Sequence, residues 1–443
     1  FSITWPNRVK WNGGTAPTLV TNIENYDPAR QIFHFTTVDT GLNYNAWEEI
    51  VYNVDHPNTL WSWGSNTNTA GSYGYAGSLG QNNQGAPTDR SSPVQVGTDT
   101  NWTEIAFSNS VLARKSDGTI WFWGNGSSGA SAQNDTIARS SPTQIGTNTT
   151  WSKLGKEQGS YGHFFAHKTD GTLWGWGNGG EGALGINNIV SYSSPIQLPG
   201  TTWSISSSDG RSSFGIKTDG TMWAWGYNQQ GRLGLRPNIP AGEGEEMFSS
   251  PVQMAGSTGL HGTGGRATGW VAVVPRMAMN SDGTLWMWGP GDNGQGGKNE
   301  NNQSLSMVQL PGTNWGQDMS KISTTPSNTG AIKQNGTLWV WGRNDNYGQL
   351  GVNDRQSQSS PVQVPGTTWS SIHVGAELMR ATKTDGTMWV WGRNDDERKG
   401  NLGLNNAGVH RSSPTQIPGT DWNQKAGGMA GQAAAQLSLK KSD

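Results

Sequence analysis

The chain has 443 residues, of which 32% are hydrophobic and 14% are charged, against roughly 45–50% and 25% in an average globular protein. Its 64 glycines and 24 tryptophans favour many short strands joined by tight turns over a helical core. A net charge of −2, zero cysteines and no long apolar stretch argue against nucleic acid as a partner, membrane insertion, disulfides and thiolate chemistry.

Residues 1–55 predict a small β module, because apolar and polar residues alternate there and the pattern breaks at Gly, Pro, Asn and Asp. Trp5-Pro6, the run from Lys10 to Gly14 and the run from Phe35 to Asp39 resemble a β segment of tail-fibre and other virion proteins of tailed bacteriophages. The resemblance implies that this module attaches the chain to other virion proteins.

The rest of the chain, residues 56–443, is built from seven copies of one unit. The tetrapeptide Trp-x-Trp-Gly recurs with a mean spacing of about 55 residues, which is the size of a four-stranded propeller blade. The copies begin at Trp61, Trp121, Trp174, Trp223, Trp286, Trp339 and Trp389. The repeat therefore predicts seven blades.

The same signals surround each copy. Asp-Gly or Asn-Gly, as in Asp117-Gly118, precedes the Trp pair in six units and predicts a two-residue hairpin turn. A Gly-rich exit loop follows, often closing with Leu-Gly, and Ser-Ser-Pro then opens a short strand in every unit except the fifth, which reads Ser304-Leu305-Ser306. A single Trp comes next, with Trp270 as a displaced candidate.

These motifs together resemble the repeat of the RCC1 family. The clearest copy runs from Trp339 to Gly351 and continues with Ser359-Ser360-Pro361. The resemblance covers residues 56–443 and implies an all-β, seven-bladed propeller.

The carboxy terminus predicts how the ring closes. Residues 436–443 align with residues 110–117 and then stop, whereas the first unit has a Trp strand with no partner before it. We therefore expect Leu437–Lys441 to pair with Thr59–Gly64, which removes an exposed edge.

Apparent catalytic motifs have ordinary structural explanations. Gly-x-Gly-x-x-Gly occurs at Gly124, Gly175 and Gly289, but each copy is an exit loop with no helix pattern to bind a pyrophosphate. His163 and His167 lie four residues apart on a predicted strand, too far apart to share a metal ion. We predict no catalytic residue, no cofactor and no metal.

The function predicted from these features is a non-enzymatic virion protein of a tail or fibre, external to the particle. The propeller would be a structural head or would contact a host surface protein or glycan. One alternative is a secreted or surface bacterial RCC1-like module that binds protein, as the propeller inhibitors of β-lactamase do. A second alternative, nucleotide exchange on a small GTPase, receives no support from the near-neutral charge.

The exit loops predict which face makes contact. Those of the first, fourth and seventh units are longer than the others, and all lie at the strand ends opposite the Asp-Gly turns and the entering residues 1–55. Long loops on one face of a repeat protein often carry binding. The candidate contact residues are Asn66, Tyr73, Tyr75, Arg236, Glu243, Glu245, Glu246, Asp395, Asp396 and Arg398.

Overall fold

The computed structural model divides the chain into two units, Phe1–His56 and Pro57–Asp443. The structure describes residues 31–33, 50–52, 58–66, 77–82, 89–108, 110–157, 162–235, 247–254, 268–345, 347–375, 377–394, 400–406, 408–422, 429–431 and 435–441. In the first unit Gln31–Phe33 pairs antiparallel with Ile50–Tyr52.

In the described residues the second unit contains seven sheets, six of four strands and one of five. Four antiparallel strands of each sheet form a blade, and the blades are numbered 1 to 7 in the order of their Trp-x-Trp strands. The first strands are Met429–Gly431, Trp102–Phe107, Trp151–Leu154, Trp203–Ser208, Trp270–Val274, Ile322–Thr324 and Trp369–Val374. The second strands are Ala435–Lys441, Ser110–Lys115, His163–Lys168, Ser212–Lys217, Met277–Asn280, Asn328–Ile332 and Leu378–Lys383. The third strands, which carry Trp-x-Trp, are Asn58–Gly64, Ile120–Gly124, Leu173–Gly177, Met222–Tyr227, Leu285–Gly289, Leu338–Gly342 and Met388–Gly392. The fourth strands are Arg90–Gln95, Arg139–Gln144, Tyr192–Gln197, Met247–Gln253, Ser304–Gln309, Gln358–Gln363 and Arg411–Gln416.

The Asp-Gly turns between the second and third strands are held by a repeated hydrogen-bond chain. In blade 3 the Asp170 carboxylate accepts from the Thr172 amide at 3.0 Å and from its hydroxyl at 2.6 Å, and the Thr172 hydroxyl accepts from the Trp174 indole at 2.8 Å. These bonds to Thr172 lower the pKa of Asp170. Gly171 has φ +79°, and a Cβ there would lie 2.2 Å from the Thr201 carbonyl oxygen, so the turn packs directly on the connection to the next blade.

The second Trp of each pair joins its blade to the preceding one. In six of the seven blades its indole donates to a backbone carbonyl of the preceding exit loop: Trp63 to Asn401, Trp123 to Ser78, Trp176 to Ala130, Trp225 to Ala183, Trp288 to Arg232 and Trp341 to Gln295. The Gly of Leu-Gly lies against the same ring, and a Cβ on Gly185 would lie 2.7 Å from the Trp225 indole nitrogen. The Leu-Gly motif thus provides space for the ring of the next blade.

The Ser-Ser-Pro motif forms a second joint. An Asn with positive φ lies three residues after the Leu of Leu-Gly. Its backbone N–H donates to the carbonyl of the first Ser of Ser-Ser-Pro in the next blade, as Asn187 does to Ser249 at 2.7 Å. The nearby Gly182 leaves room for the backbone of that Ser, whose Cα would lie 2.7 Å from a Cβ. Small residues are therefore required on both sides of the joint.

Blade 1 is completed by strands from both ends of the propeller sequence. Asn58–Gly64 pairs antiparallel with Ala435–Lys441, and Leu437 lies opposite Ser62. This register makes Lys440 the counterpart of Lys115, whereas the alignment from sequence gave that place to Lys441 and was wrong by one residue. The shift leaves both Leu437 and Leu439 fully buried and places the Lys440 ammonium 5.8 Å from the centre of the Trp61 ring.

The first strands of most neighbouring blades contact one another, which places them at the inner side of the ring. An extra strand, Lys156–Glu157, runs parallel to the first strand of blade 4. The Lys156 ammonium donates to the carbonyls of Met319 at 2.7 Å and Ile322 at 2.6 Å. This side chain therefore joins the segment after the first strand of blade 3 to blade 6.

Removing residues 437–443 will lower the melting temperature sharply, because two fully buried leucines and the closing strand pairing are lost together. Truncating one buried Leu to Ala alone costs about 2–5 kcal/mol. Thermal unfolding followed by near-ultraviolet dichroism measures the change. The control is Lys441→Ser, which alters an exposed side chain on the same strand; equal melting temperatures for the truncated and full chains would refute the closure.

Gly171→Ala will destabilise the propeller more than Gly146→Ala. Both glycines have positive φ, but a Cβ on Gly146 meets nothing within 4 Å, so its cost is the left-handed strain of about 1–2 kcal/mol, partly offset in the unfolded chain. We expect the Gly171 variant to lose about 1–3 kcal/mol more in urea unfolding. Equal losses would mean that the turn does not press on the connection to the next blade.

Candidate interaction face

The strand order gives the propeller two different faces. The turn face carries the Asp-Gly turns and the connections between blades. The exit-loop face carries the turns between first and second strands and the loops from each third strand to the fourth.

The turn face repeats the same small polar surface from blade to blade. Its exposed positions include Gly and Thr in the connections, such as Thr149, Thr201 and Thr367, and the Asp of the turns, such as Asp170. Behind them a Lys lies over both aromatic rings of its blade, as Lys168 does at 3.9 Å from the Trp174 ring centre and 5.0 Å from that of Trp151. In six blades such a lysine lies opposite the single Trp that precedes or begins the first strand. In blade 5 the residue opposite Trp270 is Asn280.

The exit-loop face is irregular and partly apolar. Large apolar side chains are exposed where exit loops reach the fourth strands of blades 2, 3, 4 and 7: Ile137 at 62%, Ile189 at 60%, Val190 at 54%, Met247 at 49% and Val409 at 45%. The other large apolar side chains exposed in the described part of the chain are Leu305 and Val308, on the fourth strand of blade 5. Apolar exposure is therefore concentrated on one rim.

Asn66 is the candidate contact residue that the structure describes, and its assignment to a contact surface was wrong. Its side chain is fully buried, and its Oδ1 accepts from the Leu79 backbone N–H at 3.1 Å. The backbone N–H of Asn66 donates to the Asp89 carboxylate at 2.7 Å. Asn228, Asn344 and Asn394 bind the Leu of their own loops in the same way. Asn66 holds its loop together from the inside.

The remaining candidate residues lie outside the described part of the chain. They are Tyr73, Tyr75, Arg236, Glu243, Glu245, Glu246, Asp395, Asp396 and Arg398. Their membership of a contact surface stays a prediction.

The glycine motifs lie in exit loops and the histidine pair lies on a strand, at the places expected from sequence. The loops after Gly124 and Gly175 contain three-residue 3₁₀ turns, Ser127–Gly129 and Gly180–Gly182, instead of a longer helix. His163 and His167 are buried on the second strand of blade 3. His163 packs against Phe165 with ring centres 5.4 Å apart, and His167 Nε2 lies 2.9 Å from the Ser206 hydroxyl.

Two buried groups of ionisable side chains were not identified from sequence. Burial raises the pKa of Glu157 to about 8, and its carboxyl group is hydrogen-bonded with the Ser208 hydroxyl and accepts from the Phe165 amide at 3.2 Å. Asp209, the next residue after Ser208, contacts two arginines, Arg232 and Arg276. No repeated motif marks either group, because each occurs once in the ring.

The part of the chain that the structure describes contains no group of three or more His, Asp or Glu side chains suited to hold a metal ion. Within the same residues, no helix has both the length and the apolar character that crossing a membrane requires.

Replacing Glu157 with Gln will stabilise the protein at alkaline pH. The pKa of Glu157 is raised in the folded state, from 4.5 to about 8, so the wild type loses stability as pH rises through that interval, and a neutral amide at this position removes the dependence. Urea unfolding at pH 4 and pH 9 will show a gain confined to pH 9. Glu300→Gln is the control, since Lys298 lowers the pKa of that exposed carboxylate; a Glu157 variant that gains nothing at pH 9 would contradict the burial.

Comparison with known proteins agrees with this architecture. The model of the regulator of chromosome condensation (RCC1) repeat matches residues 170–209, 219–268 and 335–379. Human WBSCR16 is similar in structure, with a TM-score of 0.68 and 18% identity over 87% of this chain and 99% of that one. Prp20p from Saccharomyces cerevisiae has a TM-score of 0.69 and 17% identity over 88% and 93% of the two chains. Yeast RCC1 (Prp20) in a complex with Kap60 has a TM-score of 0.69 and 16% identity over 88% of this chain and 90% of that one. The chain carries RCC1 repeats and folds as a seven-bladed propeller.

Proposed function

We propose that this propeller is a non-enzymatic protein-binding module that contacts its partner through the exit-loop face. The observation that carries the proposal is the concentration of exposed Ile137, Ile189, Val190, Met247 and Val409 on that rim. Apolar residues grouped on one side of a protein are typical of interaction sites. Among the described residues, the turn face has no comparable group of exposed large apolar side chains.

Relatives with this fold support a protein partner. Prp20p is described by its binding to Gsp1p and histones, and yeast RCC1 by its complex with Kap60. At 16–17% identity these likenesses show the fold alone. These likenesses identify no residue of this chain that would support nucleotide exchange on a GTPase.

We further propose that the module is a component of a tailed-phage virion, with residues 1–55 as its attachment to other virion proteins. The motifs of residues 1–55 support this assignment, and so does the separation of Phe1–His56 from the propeller as a unit of its own. The partner of the exit-loop face is then a protein or glycan on the host surface. A secreted inhibitor-like module is the alternative, and it would not be found in particles.

The attachment is tested by mass spectrometry of purified particles. The full chain is expected in the particle, and a chain lacking residues 1–55 is expected to be absent from it while still soluble and folded. Absence of the full chain from particles would refute the virion assignment. It would leave binding through the exit-loop face to be tested with the isolated protein.

The face is tested by charge substitutions on particles that contain the chain. Ile137→Asp, Ile189→Asp and Val190→Asp together will reduce host adsorption about tenfold or more, because a buried apolar contact is replaced by carboxylates. Thr149→Asp, Thr201→Asp and Thr367→Asp place the same charges on the turn face and serve as the control. Loss of adsorption in the control set alone would assign binding to the turn face.

A further inference from the structure

Asp209, Arg232 and Arg276 form a compact ionic group on the exit-loop face between blades 4 and 5. Arg276 Nη1 lies 3.2 Å from Asp209 Oδ2, and Arg232 Nη1 lies 3.4 Å from the same oxygen. The other carboxylate oxygen accepts from the amides of Arg211 at 3.3 Å and Ser212 at 2.9 Å. The carboxylate is fully used, and both cations share one of its oxygens.

The backbone holds Arg276 in an unusual position. This residue has φ +68° in the turn between Val274 and Met277, where an L-residue is strained. Its side-chain stem runs past Gly289, where a Cβ would lie 3.0 Å from the Arg276 Cγ. The side chain of Arg276 is only 3% exposed. A buried guanidinium held in this way is pre-positioned, because few other orientations remain open to it.

Both arginines keep a buried donor without a partner. Arg276 Nη2 and Arg232 Nε make no hydrogen bond. Leaving a charged donor buried and unbonded costs more than the net value of an ordinary hydrogen bond. Burial accordingly lowers the pKa of Arg276 despite the neighbouring carboxylate. Two cations and one carboxylate also leave one positive charge in excess.

His163 lies on the blade 3 side of this group. Its imidazole is fully buried, and neither ring nitrogen has a hydrogen-bond partner. Asp209 acts on it electrostatically. The neutral ring thus adds a further polar donor, which the side chains around it do not satisfy.

We propose that the group formed by Asp209, Arg232 and Arg276 is a binding site for one carboxylate. A carboxylate carries the single negative charge that balances the excess, and its two oxygens suit two guanidinium donors. A phosphate dianion would exceed the available charge. Arg232, whose side chain is 24% exposed, opens the site toward solvent.

The natural source of the carboxylate is an acidic side chain or the carboxy terminus of a protein docked on the exit-loop face. This identification rests on the proposed function, since it needs a protein at that face. The site itself does not, because a small carboxylate added alone fills it. The two are therefore separable by experiment.

The probe is acetate, added to the full chain at constant ionic strength with sodium chloride as the reference. Isothermal titration calorimetry and the rise in melting temperature with acetate both report binding, because a ligand that binds only the folded state stabilises it. Sodium phosphate at the same ionic strength is the second arm, and its affinity is expected to be weaker than that of acetate.

Substitutions in the group predict opposite changes in affinity. Asp209→Asn raises the excess to two charges and is expected to tighten acetate binding about tenfold, while Arg276→Met abolishes it. Asp345→Asn is the matched control, since it removes the carboxylate of an exposed Arg343–Asp345 pair and should leave acetate affinity unchanged. If Arg276→Met fails to fold, the Asp209→Asn comparison still decides the question.

Two results would overturn the proposal. One is an acetate response no larger than that of chloride in both the wild type and Asp209→Asn. The other is an equal gain of affinity in Asp209→Asn and Asp345→Asn, which would indicate general charge attraction in place of a site. Neither outcome bears on whether residues 1–55 attach the chain to a particle.

Discussion

The propeller depends on the joint between the second Trp of each blade and the exit loop before it. The ring packs against a small residue of that loop, in most blades a Gly. In six of the seven blades its single N–H donates to a carbonyl of the same loop, so an aromatic surface is buried with its polar atom satisfied. The last joint repeats the others: Trp63 donates to Asn401 at 2.9 Å, and a Cβ on Gly403 would lie 2.9 Å from its indole nitrogen. Blade 7 therefore meets blade 1 as most neighbouring blades meet, which explains how a chain so poor in aliphatic residues closes a ring.

Much of the fold was predictable because it is repeated. Seven Trp-x-Trp strands, their Asp-Gly turns and the splitting of blade 1 all follow from sequence, and Trp270 begins the first strand of blade 5 with its ring 6.1 Å from that of Trp286. What occurs once was not predictable. Nothing in the sequence marks Lys156 as a residue that contacts another blade. Whether Lys440 or Lys441 takes the place equivalent to Lys115 depends on which leucines of the closing strand are buried.

The site was less predictable than the fold for a related reason. Asn66 follows a Trp-Gly exit, and an Asn in a long loop suggests exposure, yet its equivalents show that the position holds the loop closed. Exposed residues such as Ile137 and Val190 carry no signal in the sequence, because they end loops of ordinary length. Blade 5 departs from the repeat at Asn280, Leu305 and Arg276, and it borders the Asp209 group. Departures from a repeat therefore indicate candidate sites as much as its long loops do.

The central claim is that the propeller contacts its partner with the exit-loop face. Under the proposed virion role, cryo-electron tomography of particles attached to host envelopes, with the propeller fitted into the averaged density, measures this orientation directly. Binding through the exit-loop face requires the exposed rim from Ile137 to Met247 to face the host surface while the Asp-Gly turns point away from it. Density that places the Asp-Gly turns against the host would contradict the account.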